Sequence, residues 1–111
     1  MHDITEFRPP TGALLLLVDG DETVASGALR GWADGVGEIK RIWTAPAHRR
    51  SGHGRRVLAA LEDAARRCGY RSLRLETDAW RDGAIALCTA AGYRRVPAAE
   101  PGCVSFEKSL R

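Results

Sequence analysis

Residues 46–57 read PAHRRSGHGRRV, and this stretch connects a predicted strand to a predicted helix. Within it, Arg49, Gly52 and Gly54 form the pattern Arg-x-x-Gly-x-Gly. Backbone N–H groups at the start of a helix are unpaired and carry the positive end of the helix dipole. Glycines let those groups approach an anion closely, and arginine side chains are suited to phosphate oxygens. The pattern therefore predicts a phosphate-binding turn.

Two better-known phosphate-binding patterns are absent from this turn. It has neither the Gly-Lys-Ser/Thr ending of a P-loop nor the Gly-x-Gly-x-x-Gly spacing of a dinucleotide-binding loop. The turn is strongly basic, because residues 48–56 contain four arginines and two histidines but no acid, in a chain with a net charge of +3. The function of the turn therefore has to be inferred from the secondary structure on either side of it.

Three strands are predicted before the turn, and they form an antiparallel meander. They cover residues 13–19, 23–32 and 36–44. Gly20-Asp21 and Asp34-Gly35 lie between them, and both pairs are typical of tight turns. Residues 1–11 form a short polar leader that ends after Pro9-Pro10.

A crossover is predicted after the turn. A helix is expected over residues 55–68, because apolar residues recur there at helical spacing, and Gly69 should end it. A strand over residues 72–77 follows, with apolar and polar residues in alternation. Strand, helix and strand in succession predict a βαβ unit with two parallel strands.

The remaining residues predict a second helix and two more strands. The helix is expected over residues 84–91, with Asp82 as its N-cap and Gly92 at its end. The strands are expected over residues 93–96 and 103–108. The fold class is therefore α/β, a mixed α+β sheet with helices packed on it.

Length and composition predict a single domain over residues 1–111. Hydrophobic residues make up 44% and charged residues 28%, which excludes a disordered tail and a collagen-like repeat. The longest apolar run, residues 13–18, is far shorter than the ~20 residues of a membrane span, and the polar start does not resemble a secretory signal. Three cysteines without metal-ligand spacing predict a reduced, cytoplasmic protein that holds no metal.

With these motifs in place, the chain resembles the GNAT superfamily of acetyl-CoA-dependent N-acetyltransferases over about residues 12–109. Residues 38–54 are similar to the strand and pyrophosphate turn of that family, whose signature is Arg/Gln-x-x-Gly-x-Gly/Ala. Residues 84–93, AIALCTAAGY, are similar to its second helix and the Gly-Phe/Tyr pair that follows. The resemblance implies a GNAT-like acyl-CoA N-acyltransferase fold in which the two parallel strands splay apart.

The resemblance also implies that acetyl-CoA is the co-substrate. Backbone N–H groups between Arg50 and Arg55 would hold its pyrophosphate, and backbone groups of the splayed strand would pair with the pantetheine arm as an added strand does. Arg81 stands where the family often has asparagine, and it is a further candidate for contact with the coenzyme. The implied cofactor-binding residues are Ile42, Trp43, Thr44, Arg49, Arg50, Ser51, Gly52, His53, Gly54, Arg55 and Arg81.

The implied reaction is the attack of a neutral amine on a thioester, which needs a base, a polarised carbonyl and a protonated leaving group. Glu38 is a candidate general base, the alternative being a strand carboxylate paired with Lys40 or Arg74, and Glu76 is a second candidate. Cys88 stands where many family members have a tyrosine general acid. The alternative for Cys88 is a small residue that fills a contact between helix and sheet.

Family members usually begin with a strand and two helices that form one wall of the acceptor pocket. Residues 1–11 are too few for that unit. Its absence would leave apolar sheet surface uncovered, which predicts a homodimer. The sequence therefore does not identify the amine that receives the acetyl group, and the acceptor is either a small molecule or a peptide.

Three functions remain open on the sequence alone. The first is acetyl transfer to a primary amine, and the second is binding of acetyl-CoA or CoA with little or no catalysis. The third is nucleic-acid binding through the basic residues 48–56. That run contains no aromatic residue on which bases would stack, which argues against the third function. We therefore expect neither nucleic acid nor a membrane as a partner.

Overall fold

The computed structural model describes residues 11–49 and 51–110. Most of the predicted polar leader and Arg50 lie outside these ranges. The elements are β1 (Ala13–Asp19), β2 (Glu22–Ala33), β3 (Val36–Thr44), a 3-10 turn at Pro46–His48, α1 (His53–Arg67), β4 (Ser72–Asp78), α2 (Asp82–Ala90), β5 (Arg94–Val96) and β6 (Cys103–Ser109). None of the helices in the described ranges has the length and apolar character needed to cross a membrane.

The strands form one six-stranded sheet in the order β1-β2-β3-β4-β6-β5. β3 and β4 are parallel, and every other neighbouring pair is antiparallel. Pairing between β3 and β4 runs from Val36–Ser72 to Ile39–Leu75 and then stops, although both strands continue. The predicted meander, βαβ crossover and splayed parallel strands are confirmed.

A bulge in β3 begins where β3 and β4 stop pairing. On its other side, β3 pairs Lys40 with Ala28 but Trp43 with Ser26, so three steps along β3 match two along β2. Arg41 lies within this bulge at a φ of 59°, a conformation that few residues other than glycine adopt. An extra residue bends its strand and increases the local twist. The bulge therefore accounts for the bend that carries β3 away from β4.

Both helices pack on the same face of the sheet. α1 and α2 contribute Leu61 and Cys88 to a single core cluster, together with strand residues such as Phe106. Tyr93, after α2, donates a hydrogen bond from Oη to Glu62 of α1 at 2.8 Å. Right-handed crossovers that advance in one direction across a sheet place their helices on one side, which explains the arrangement.

Neither helix covers the opposite face of the sheet. Leu14, Leu16 and Val18 of the edge strand β1 are 45–59% exposed there, whereas the alternating Leu15 and Leu17 pack towards the core. The two helices therefore cover one face of the sheet, and no described helix covers the other, which is called the open face below. β1 contributes an apolar strip to this open face. This exposed strip agrees with the predicted uncovered sheet surface, and the homodimer inferred from it stays a prediction.

Three charged side chains tie β2, β3 and β4 together on the open face. The Glu38 carboxylate is 3% exposed and accepts hydrogen bonds from Arg30 Nε at 2.9 Å and from Arg74 Nη1. The strand register places Glu38 directly opposite both arginines. Arg74 also lies over the Trp32 ring, 4.0 Å from its centroid. This Arg30–Glu38–Arg74 cluster holds the three strands just before β3 and β4 separate.

The two helices begin earlier than the sequence predicts. α1 begins at His53 rather than at residue 55, because Gly52 at its N-cap adopts a left-handed conformation with a φ of 85°. α2 begins at Asp82, and its N-cap is Arg81, so the prediction of Asp82 as the N-cap is wrong. As the first helical residue, Asp82 still places its negative charge at the positive end of the helix dipole. Gly69 and Gly92, predicted at the helix ends, both have a positive φ.

Replacing Glu38 by glutamine should lower the free energy of unfolding by about 3 kcal/mol, because a buried carboxylate that neutralises two arginines is lost. Urea unfolding of the purified variant measures this change. Glu107→Gln is the matched control, since Glu107 is half exposed and its contact with Arg94 is 3.8 Å long. We expect the control to change stability by less than about 0.5 kcal/mol. Equal effects of the two substitutions would contradict a structural role for Glu38.

Candidate functional site

A cleft of about 820 Å³ opens where the second half of β3 faces the N-terminal ends of α1 and α2. Its walls come from three segments of the chain that are distant in sequence. The residues that line the cleft are Ile42, Trp43, Thr44, His48, Arg49, Gly52, His53, Gly54, Arg55, Trp80, Arg81, Asp82, Gly83, Ala84, Ala86 and Leu87. The cleft therefore joins the predicted phosphate-binding turn to the strand that leaves the sheet.

The turn forms one wall of the cleft and has the features of an anion site. Within residues 11–49 and 51–110, no side chain caps the first turn of α1, and the first helical hydrogen bond runs from Arg56 N to Gly52 O at 3.1 Å. The N–H groups ahead of it are thus left for another partner. Arg49 and Arg55 line the same wall and add positive charge. Uncapped N–H groups, a helix dipole and two guanidinium groups together favour a phosphate.

Gly52 and Gly54 serve different purposes in this turn. Gly52 has open space around it but needs a positive φ. Gly54 lies at a close approach, because a Cβ atom there would be 3.2 Å from Leu87 Cδ2 and 3.5 Å from Thr44 Oγ1. Gly52 provides the left-handed backbone conformation of the turn, and Gly54 lies where β3, α1 and α2 come close together beside the cleft.

A smaller cavity of about 90 Å³ continues from the cleft into the gap between β3 and β4. The cleft and this gap cavity share Ile42, Arg81, Ala84 and Leu87. Residues from both faces of the sheet line the gap cavity. On the helix side they are Leu58, Leu75, Thr77 and Cys88, and on the open face they are Lys40 and Glu76. The gap cavity is therefore bordered by groups from both sides of the sheet.

The two candidate bases lie in different places. Glu38 lines neither the cleft nor the gap cavity, and two arginines bind its carboxylate. Glu76 lines the gap cavity, and its Oε2 accepts hydrogen bonds from Ser105 Oγ at 2.9 Å and from Arg74 Nη2 at 3.4 Å. The structure thus brings Glu76, rather than Glu38, to the point where the strands separate.

Cys88 lines the gap cavity from α2 and is buried. Burial raises the pKa of its thiol to about 11. The thiol is therefore protonated at neutral pH, which disfavours it as a nucleophile. It is also a weaker acid than an ordinary thiol with a pKa of ~8.5.

Nine of the eleven predicted cofactor-binding residues line the cleft. The other two are Ser51, whose hydroxyl donates instead to the carbonyl oxygen of His48, and Arg50, which lies outside the described residues. Sequence reasoning missed His48, Trp80 and the first turns of α2 as parts of the wall. Its place as the first residue of the basic run 48–56 could have indicated His48. The other two depend on how α2 packs against α1, for which the sequence has no local signal.

Comparison with known proteins finds a match to the family model of the acetyltransferase (GNAT) family over residues 1–93. A mycothiol acetyltransferase from Kineococcus radiotolerans is 34% identical over 96 residues, which are 83% of this chain and 31% of that protein. The chain thus spans less than two thirds of the length of this relative.

Solved structures show the same fold. A Klebsiella pneumoniae protein described as an acyl-CoA N-acyltransferase has a TM-score of 0.88 and 36% identity, over 98% of this chain and 79% of that one. A Salmonella typhimurium protein described as an acetyltransferase, with its cofactor acetyl-CoA, has a TM-score of 0.78 at 19% identity. That similarity covers 90% of this chain and 65% of the Salmonella chain.

The two glycines of the turn should respond differently to alanine. Gly52→Ala should lower the free energy of unfolding by about 1 kcal/mol, because a Cβ atom disfavours its left-handed conformation. Gly54→Ala should leave stability unchanged or raise it, since alanine favours the helix and the Leu87 methyl group can shift. Parallel urea unfolding of the two variants measures both. A larger loss for Gly54→Ala would show that close packing, and not backbone conformation, limits this turn.

Proposed function

Because this chain belongs to the GNAT family of acetyltransferases, we propose that it transfers an acetyl group from acetyl-CoA to a primary amine. The observation that carries this proposal is the continuity of the cleft, which runs from the phosphate-binding turn to the gap between β3 and β4. Coenzyme A has a pyrophosphate at one end and a thioester at the other. The cleft therefore offers an anion site and a small, largely apolar cavity in the order that this molecule requires.

Backbone groups and positively charged side chains hold the acetyl donor, acetyl-CoA. The N-terminal N–H groups of α1 bind the pyrophosphate, and Arg49, Arg55 and Arg81 neutralise its charge. Ile42, Trp43 and Thr44 of β3 lie beyond the last pair that β3 makes with β4, and they line the cleft. Their backbone groups are therefore placed to face a ligand. These groups bind the pantetheine arm as a sheet edge binds an added strand. The thioester then reaches the gap cavity.

Glu76 takes the role of general base. The amine attacks the thioester carbonyl, the C–S bond breaks, and the proton lost by nitrogen passes to the carboxylate at the gap. A carboxylate also attracts a primary amine, which is cationic before it is deprotonated. Lys40 and Glu76 border the gap from the open face, so the acceptor enters from that side.

Burial favours the packing alternative for Cys88. A thiol with a pKa of about 11 would have to protonate a leaving thiolate whose own pKa is ~8.5, which is unfavourable. In the proposed reaction the leaving thiolate of coenzyme A therefore takes its proton from solvent. Cys88 therefore fills the contact between α2 and the sheet beside the thioester.

The acceptor belongs to the class of small-molecule or peptide amines. The open apolar strip of β1 supports a homodimer, and the three free cysteines support a reduced, cytoplasmic location. His48, Arg49, His53 and Arg55 of the basic run line the cleft, which supports a coenzyme phosphate rather than a nucleic acid as the partner of this run.

Calorimetric titration with acetyl-CoA, CoA and a short DNA duplex tests donor binding, and release of free thiol with a panel of amines tests transfer. We expect binding of both coenzyme forms and thiol release that depends on the amine. Binding of acetyl-CoA without turnover on any amine would favour a coenzyme-binding module instead. Salt-sensitive DNA binding without any coenzyme effect would favour nucleic-acid binding.

Glu76→Gln should lower kcat about 100-fold or more, because it removes the base that accepts the amine proton. Cys88→Ala should keep kcat within about threefold of the parent, since its thiol transfers no proton in the proposed reaction. Steady-state thiol release across pH 6–10 measures both. A Cys88→Ala loss as large as that of Glu76→Gln would make Cys88 the general acid that the family resemblance implies.

The volume of the gap cavity limits the acyl chain. The gap cavity has a volume of only about 90 Å³, and Leu58, Leu75 and Leu87 line it, so an acyl chain longer than acetyl has little room. We therefore expect kcat/KM for butyryl-CoA to be at least tenfold below that for acetyl-CoA. Thiol release with both donors and one amine measures the ratio, and equal rates would show that the acyl group lies elsewhere.

A further inference from the structure

We propose that the hydroxyl group of Thr77 donates a hydrogen bond to the carbonyl oxygen of the bound thioester. This inference rests on the proposed function and adds a catalytic residue to it. Thr77 transfers no proton in this role. It acts as a neutral donor that stabilises the oxygen as negative charge develops on it.

The first observation is an unpartnered hydroxyl. Thr77 is 8% exposed, and within the described residues its Oγ1 atom is buried without a hydrogen-bond partner. A buried hydroxyl without a partner has lost the hydrogen bonds that water would give it, and such groups are rare in folded proteins. A group of this kind beside a cavity is explained most simply if a ligand completes its hydrogen bonding.

The second observation is the location of Thr77. It lies on β4 two residues beyond Leu75, the last residue of that strand to pair with β3. Strand alternation places its side chain on the helix side, as for Leu75, and it lines the gap cavity. The hydroxyl therefore lies in the part of β4 that no longer pairs with β3.

The other described side chains on the helix side of the gap cavity do not satisfy this hydroxyl. On the helix side, Leu58, Leu87 and Cys88 offer only hydrocarbon and a thiol, and sulfur is a weak acceptor. The Glu76 carboxylate lies on the alternate face of β4, where Ser105 and Arg74 bind it. None of these described side chains supplies a strong acceptor to the hydroxyl, and a ligand in the gap cavity can supply one.

The acyl end of a thioester carries one strong acceptor, the carbonyl oxygen. When an amine attacks, the carbon–oxygen double bond becomes a single bond and the oxygen takes the negative charge. A hydrogen bond to a charged oxygen is about twice as strong as one to a neutral oxygen. The Thr77 hydroxyl therefore stabilises the tetrahedral intermediate more than the bound donor, which is the condition for catalysis.

The test compares Thr77→Val, which has the same shape without the hydroxyl, with Thr77→Ser, which keeps it. For Thr77→Val we expect kcat/KM with acetyl-CoA to fall tenfold or more. The affinity for CoA, which has no carbonyl oxygen at this position, should stay within twofold. The thermal midpoint should stay equal or rise, because a methyl group replaces an unpartnered hydroxyl. Thr77→Ser should stay within about threefold of the parent in kcat/KM.

Activity and stability thus change independently, which a purely structural threonine would not produce. Full turnover by Thr77→Val would overturn the proposal, and so would an equal loss of affinity for CoA and acetyl-CoA. If Thr77→Val does not fold, Thr77→Ala provides the same comparison without a β-branched side chain.

Failure of the proposed function gives a different result. If the parent chain binds acetyl-CoA but acetylates no amine, the ratio of its affinities for acetyl-CoA and CoA still reports on the hydroxyl. A Thr77→Val variant with the parental ratio would then overturn the inference. A ratio shifted at least threefold towards CoA would support it.

Discussion

The site depends on the point at which backbone pairing between β3 and β4 stops. Up to Ile39 and Leu75 the two strands share hydrogen bonds, and beyond them neither strand has the other as a partner. Unpaired backbone groups inside a protein cost free energy unless another group binds them. The bulge at Arg41 bends β3 away from β4, and the Arg30–Glu38–Arg74 cluster holds the preceding residues together. One interruption of the sheet therefore creates both the gap cavity and the backbone groups that can bind an extended ligand.

The N-terminal ends of the two helices form the walls of the cleft opposite β3. α1 starts directly after the turn with its first N–H groups uncapped, and Leu87 of α2 packs beside Gly54. The positive ends of both helix dipoles therefore face one cleft, together with guanidinium groups from two segments of the chain. In the proposed function, coenzyme affinity is accordingly distributed over the whole cleft wall, and catalysis is confined to the few groups at the gap.

Local signals made most of the fold predictable. The hairpin turns, the glycines at the helix ends and the Arg-x-x-Gly-x-Gly turn are all contiguous in sequence, and each lies where it was predicted. Features that depend on strand register were not predictable. Arg30 binds Glu38 only because β2 and β3 pair in that register. Arg74 was predicted only as one of two alternative partners of Glu38, the other being Lys40. The bulge, the unpartnered Thr77 hydroxyl and the position of Trp80 likewise have no sequence signature, because each arises from packing between distant segments.

The abrupt end of pairing within β3 also has a dynamic consequence. Amide hydrogens of residues 37–39 lie in a strand bonded on both sides, so their exchange with solvent deuterium requires the sheet to open. Past the bulge, amides of β3 that point towards β4 have no partner on that strand among the described residues. We therefore expect the first half of β3 to exchange slowly and the second half rapidly. In the proposed function, the boundary between the two halves is also the point at which the coenzyme replaces β4 as the partner of β3.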